Sequence, residues 1–281
     1  MYTLIAENQY GEKLELTHNE AYVIESIEGI DPPEATINTT KNVNADGSVF
    51  NSSYANNRQI IITLAVNGPA ETNRINLYKY FKSKYPVKLY YKNGSRDVSI
   101  EGHVKKIQIE FFNKKQIAQI TVICPNPYFN GDSQSSFDFT PVVSRFEFPF
   151  SIETPIPFSD IYIGREENEV NNGDVESGAV FTIHARGAVV NPTIYNINLN
   201  QYFGVQITMN RGDVVVINTR KKEKSVTLIS DGVISNIVGK MRQGSSWIQL
   251  QPGNNLLTAT VDAGIEFLDV SCELIDRYEG V

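Results

Sequence analysis

Residues Asp31 to Arg58 read DPPEATINTTKNVNADGSVFNSSYANNR. They lie between Ile24, Ile27 and Ile30 and the apolar run Ile60-Ile61-Ile62-Thr63-Leu64. Asp46-Gly47 at the midpoint, flanked by Thr, Val, Ile, Phe and Tyr, is a hairpin signal. Period-two alternation puts Ala35, Ile37, Val43 and Ala45 on one face of the outgoing limb, and Phe50 and Tyr54 together on one face of the returning limb. This apolar side is thin. Fixing a residue's backbone costs roughly 1 to 2 kcal/mol, and burying a Val, Ile or Phe side chain returns about 1.5 to 3 kcal/mol. A two-stranded ribbon on its own is marginal in water. The stretch is therefore a polar surface loop, a hairpin folded back on its own domain, or an arm that orders on a neighbouring subunit. The arm reading makes residues 31–58 an oligomerisation element with Ile37, Val43, Asp46, Gly47, Phe50 and Tyr54 as its candidate contact residues.

On either side of this stretch the pattern is mostly β. Short runs rich in β-branched and aromatic residues occur at Tyr2–Ile5, Leu14–Leu16, Tyr22–Ile27, Gln59–Val66, Val87–Tyr91, Val98–Ile109 and Gln116–Ile123. After Asn67-Gly68-Pro69, polar residues at 70–73 can start a helix, and Ile75, Tyr78 and Phe81, with Leu77 beside them, mark its expected apolar face. Pro125 and Pro127 end this sheet region, and Gly131–Ser136 reads as a linker. The reading is a first domain over 1–130, a linker near 130–140, and a second domain over 131–281.

The second domain shows strand patterns at Ile161–Gly164, Val180–Ala185, Thr193–Asn198, Gln201–Met209, Asp213–Thr219, Ser225–Ile229, Gly244–Leu250, Asn254–Val261 and Glu266–Leu274. Gly-containing turns separate most of them. Many closely spaced strands without a helical pattern predict a β-sandwich. The fold class is thus mainly β: an antiparallel N-terminal domain with one short helix and a long hairpin arm, and a C-terminal jelly-roll-like or galectin-like sandwich.

A chain of 281 residues with 41% apolar content supports two cores of about 100 to 150 residues each. The N-terminus lacks the basic and apolar segments of a secretory signal, and no run of about 20 apolar residues is present. Cytosolic synthesis and no membrane partner are expected. The formal charge of −7 repels phosphate backbones, so no nucleic-acid binding is expected. Cys124 and Cys272, far apart and outside CxxC spacing, read as reduced structural thiols. His18, His103 and His184 show no metal-binding spacing, and GxSxG, P-loop and GxGxxG motifs are missing. No enzyme, cofactor or metal site is expected. Arg211-Gly212-Asp213 spells an adhesion tripeptide but sits where a hairpin turn is needed.

Five pieces carry a resemblance when taken together and in order: the DPP and DG of the arm, NPYF at Asn126–Phe129, NPTI at Asn191–Ile194, GDVVVINT at Gly212–Thr219, and SSWIQLQPGNN at Ser245–Asn255. The set resembles the siphophage distal tail protein family, the siphovirus-type tail components, over nearly the whole chain. Where that family often has Asp, this chain has Asn126, which keeps an Asx side chain able to accept from the following backbone. The resemblance implies an N-terminal domain assembling as a hexameric ring below the tail tube, with its arm around the adjacent subunit. It also implies an outward galectin-like domain, and a virion hub joining the tail-tube protein to a tail-associated lysin or fibre and to receptor-binding proteins.

The alternative, from another class, is a carbohydrate-binding module attaching directly to host cell-wall polysaccharide. Its candidate residues are Trp247 and Gln249, which alternation places opposite Ile248 and Leu250. An indole on a polar face can stack on a sugar ring or fill a packing contact. The resemblance favours packing, since galectin-like domains of this family often lack a working sugar site.

Overall fold

The computed structural model describes residues 2–42, 46–110, 113, 115–138 and 166–281. The chain divides into two compact units: one takes residues 1–133 with Arg277–Val281, the other Gln134–Asp276. Mainly β architecture with one α-helix holds among the described residues.

The first unit opens with β1 (Thr3–Asn8), β2 (Lys13–Glu15) and β3 (Tyr22–Glu28). The ribbon follows as β4 (Ala35–Lys41) and β5 (Ser48–Ala55), then β6 (Arg58–Val66) and helix α1 (Ala70–Tyr80). β7 (Pro86–Lys92), β8 (Asp97–Ile109), β9 (Gln116–Cys124) and β10 (Phe129–Asp138) come next. All pairings are antiparallel, with β2-β1-β7-β8-β9-β6-β3 in order and β10 also joining β8 through Asn130 and Gly131. Strict alternation explains the core. Ile60, Ile62 and Leu64 of β6 point inward with Ile120 and Val122 of β9, Val98, Ile100 and Val104 of β8, and Leu4 and Ala6 of β1.

Helix α1 covers this core through only part of the expected face. Leu77 and Phe81, four residues apart, are fully buried, whereas Ile75 and Tyr78 are 49% and 38% exposed. A helix has one core face, and the pair spaced i, i+4 occupies it. Ile75 and Tyr78 are turned away from that face. The helix starts at Ala70, within the expected 70–73 stretch and with Glu71 in its first turn, while Pro69 before it provides no side-chain cap.

The prolines do not end the sheet for long. Pro125 and Pro127 lie in the short connection before β10, so Gly131–Ser136 is strand rather than loop, and the division between the two units falls inside it, after Ser133. Pairing with β8 at Asn130 and Gly131 starts this Ser- and Gly-bearing strand, which composition alone reads as loop. The C-terminal residues Arg277–Val281 cluster with the first unit, which a simple cut near residue 130 does not anticipate.

The second unit contains β11 (Glu167–Asn171), β12 (Ser177–Ala185), β13 (Val189–Val190), β14 (Thr193–Asn196), β15 (Gln201–Gly204) and β16 (Thr208–Met209). It continues with β17 (Val214–Asn218), β18 (Ser225–Ser230), β19 (Val233–Asn236), β20 (Gln249–Leu250), β21 (Gly253–Thr260) and β22 (Leu268–Tyr278). One sheet runs β19-β18-β17-β12-β22, the other β11-β21-β14-β15. Phe181, Ile183, Val215, Ile217 and Val270 of the first meet Ile194, Phe203, Leu257 and Ala259 of the second in one buried cluster. This is a β-sandwich.

Some expected strands are modified. Gln201–Met209 is broken into β15 and β16, and only Gln249–Leu250 of the run from Gly244 is strand. β11 and β19, polar or short, carry too weak a pattern to be read from sequence. The expected strand at Ile161–Gly164 lies outside the described residues. In the Arg211-Gly212-Asp213 turn, Gly212 has φ +93° and the buried Asp213 carboxylate accepts from the Asn210 amide at 2.8 Å.

Candidate functional site

The ribbon pairs with nothing but itself among the described strands: β4 and β5 form their own two-stranded sheet. Ile37, Phe50 and Tyr54 are 64%, 61% and 58% exposed. Asp46 and Gly47 lie at the turn, Gly47 with φ +89°. Val43 and Ala45 lie outside the described residues.

A bulge changes which side chains share a face. Asn38 pairs with Ser52 but Thr39 pairs with Phe50, so Asn51 is the extra residue. Phe50 therefore joins Ile37 and Ala35 on one face, while Tyr54 and Val49 fall on the other. The expectation of Phe50 and Tyr54 on a common face fails, because the alternation breaks at Asn51. The Tyr54 face is laced by hydrogen bonds: the Asn38 amide donates to Ser52 Oγ (3.0 Å), and the Asn51 amide to Thr40 Oγ1 (2.6 Å). The Ile37–Phe50 face has no such cross-strand side-chain bond among those described.

The root of the ribbon is anchored where its body is bare. Arg58, 4% exposed, opens β6 on its inward side. Its Nε donates to Pro127 O (2.6 Å), Nη1 to Gly29 O (2.6 Å) and Asp31 O (2.5 Å), and Nη2 to Glu279 O (2.5 Å). The guanidinium lies 4.7 Å from the Phe129 ring centroid. Five donors in a planar fork suit this multiple capture of carbonyls. Burial lowers the Arg58 pKa, opposed by the nearby Cys124, Asp31 and Glu279. Cys124, buried beside it, has its thiol pushed up to about 12 by desolvation.

Arg58 thus ties three segments together: the ribbon's first turn, the NPYF element and the last residues of the chain. Asn126 Oδ1 accepts from the Tyr128 amide at 3.4 Å, and Phe129 is 2% exposed. Gly29 sits at φ +81°, and a Cβ there would fall 2.0 Å from Gln59 O. A polar cavity of about 460 Å³ lies at this root, lined in part by Pro32, Glu34, Asn56 and Arg58. Sequence reasoning missed Arg58, although a signal for it exists. The inward set Leu64, Ile62 and Ile60, continued two residues towards the N-terminus, lands on residue 58 and marks an arginine on a core-facing position.

The carbohydrate candidates sit elsewhere. Trp247 is half-buried, its ring 5.0 Å from that of Phe203 and tilted by 53°, with Lys224 Nζ 5.4 Å over it. The Gln249 amide donates to Thr219 O at 2.7 Å. Both side chains are engaged by their own unit. Among the described residues, no group of three or more His, Cys, Asp or Glu could hold a metal ion.

Comparison with known proteins agrees with this architecture. Residues 172–269 match the family described as SPP1_Dit, "Siphovirus-type tail component, C-terminal domain". The SPP1 Dit (gp 19.1) protein, described as a paradigm of hub adsorption apparatus in Gram-positive infecting phages, aligns with 99% of this chain and 99% of its own. Its TM-score is 0.70 at 12% identity. A chain of the phage P2 baseplate in its activated conformation with Ca covers 100% of both chains at TM-score 0.51 and 10% identity. No curated protein sequence matches significantly. By sequence over residues 172–269, and by fold over essentially its whole length, this chain resembles the siphovirus-type distal tail components.

Proposed function

We propose that this protein is a structural component of a phage tail tip: a distal tail, or baseplate hub, protein that closes into a hexameric ring and joins the tail tube to the adhesion apparatus. Its place is the virion, and its role is mechanical rather than catalytic. The observation that carries the reading is the ribbon, paired only with itself and exposing Ile37, Phe50 and Tyr54, on a chain whose whole fold matches a phage hub protein. A ring needs a head-to-tail contact repeated about an axis, and an arm reaching from each copy to the next supplies one. The proposed partners are further copies of the chain, the tail-tube protein above, and a tail-associated lysin or fibre and receptor-binding proteins below.

Light scattering after size exclusion, followed by negative-stain microscopy, tests the reading. The expected result is a six-copy particle seen as an annulus. A strict monomer at every concentration, alone and with tail-tube protein added, overturns it.

A further inference from the structure

The edge of a sheet offers unpaired backbone groups to any other chain, and folded proteins protect such edges with charge, bulges or covering loops. Among the described residues, β2 sets Lys13 and Glu15 on either side of one leucine, and β3 carries Glu25 and Glu28 with a bulge between Ile24 and Ser26. β11 brings Glu167 and Glu169. β15 has no charge but is covered by its own unit: the Arg242 amide donates to Gly204 O and the Ser246 amide to Tyr202 O, both at 2.8 Å. β19 has neither device. It pairs only with β18 among the described strands, and all four of its residues are exposed, Val233 by 63% and Ile234 by 71%. Between Ser225 and Gly239 the only charged residue is Asp231, in the turn.

The free side of β19 has a defined hydrogen-bonding pattern. Asp231 and Gly232, both at positive φ, make the two-residue turn that closes the β18–β19 hairpin. The Ile237 amide donates to Val226 O at 2.9 Å, and hydrogen-bonded pairs alternate along an antiparallel ladder. Ser235 and Val233 therefore bond Leu228 and Ser230, while the amides and carbonyls of Ile234 and Asn236 turn outward. We propose that an extended segment of a different protein adds to β19 as a further strand, exchanging backbone hydrogen bonds with Ile234 and Asn236. That segment is uncharged where it pairs, because a charge entering here meets no opposite charge along the edge. It places an apolar side chain beside Ile234, which stands on the outer face across from Ile229. A second copy is not the occupant: a β19-to-β19 pair is two-fold and isologous, whereas a ring joins neighbours head to tail and leaves this edge open on every copy. This choice of occupant, unlike the open edge itself, rests on the ring reading above.

Hydrogen exchange resolved to single amides, on the free protein and on tail tips assembled with the other tail proteins, tests this. In the free protein the Val233 and Ser235 amides are expected to be protected and those of Ile234 and Asn236 to exchange fast. In assembled tail tips the Ile234 and Asn236 amides are expected to slow by at least about tenfold. A photo-crosslinking side chain in place of Ile234 is expected to join a stretch of another protein that lacks Asp, Glu, Lys and Arg. Ile234→Pro removes an outward donor and no bond of the hairpin, so the melting temperature should hold while the slowing at Asn236 is lost. Ser235→Pro, which breaks a hairpin bond, is the control that lowers melting. Rings in assembled tails whose Ile234 and Asn236 amides exchange as fast as in the free protein overturn the proposal and leave the ring standing. A crosslink to another copy of this chain, or to a charged stretch, also overturns it. Slowing and a neutral crosslink on a protein that forms no ring would keep the edge and remove the ring reading. No ring and no slowing overturn both.

Discussion

Arg58 shows how one side chain can set the direction of a whole element. Its four carbonyl partners come from the ribbon's first turn, the loop before β10 and the C-terminal residues. Hydrogen bonds to a charged group contribute about 1.5 to 3 kcal/mol each, and carbonyls left bare inside cost further. Arg58→Met is therefore expected to lower unfolding free energy by at least about 3 kcal/mol, read by denaturant titration. Arg58→Lys should recover only part, since a single ammonium cannot reproduce the fork. Gly29→Ala forces a Cβ into Gln59 O at a positive φ and is expected to cost about 1 to 3 kcal/mol. Burial pushes the Cys124 thiol up to about 12, above the value of about 8.5 usual for an unfolded chain. The unfolded chain therefore loses that proton first as pH rises. Its contribution to stability is complete below roughly pH 8.5 and declines towards about 12. Native protein at about pH 8 should resist thiol alkylation that proceeds readily in denaturant.

At the scale of elements, helix α1 and the ribbon each have one side that the chain itself satisfies and one that it does not. Leu77→Ala removes a fully buried side chain and is expected to cost about 2 to 5 kcal/mol. Ile75→Ser should stay within about 0.5 kcal/mol of wild type, and the contrast in melting temperature separates the core stripe from the outer one. Deleting Thr36 to Tyr54 should leave a soluble, folded monomer, since neither ribbon strand pairs with the rest of the first unit. Strands such as β6 and β9 are legible in the sequence because their alternation runs unbroken between turn residues. The ribbon's faces are not, because a bulge at Asn51 leaves no mark in composition. The helix stripe resists reading because Ile75, Tyr78 and Phe81 are all apolar, and hydrophobicity alone cannot say which of two adjacent stripes meets a core.

The whole molecule consists of a sheet unit that leaves several large apolar side chains exposed and a sandwich with its own closed core. Its mainly β class follows from alternation and turn spacing. The return of residues 277–281 to the first unit does not, since a long-range contact has no local signature. Nor does the half-burial of Trp247, where alternation gives the side but not the neighbour, Phe203. Trp247→Ala is expected to lower thermal stability by loss of that ring contact and to leave glycan-array signals unchanged.

The bulge carries one more implication. Asn51 is the surplus residue of β5, opposite no single partner. Removing it would restore a plain two-residue repeat along the returning limb while every other side chain stayed on its present side. Excising Ser53 instead would transpose the neighbouring positions across the ribbon. Within β5, a one-residue shortening that keeps each remaining side chain on its face is tolerated at this asparagine or at Ser52 beside it, and not further along the paired limb.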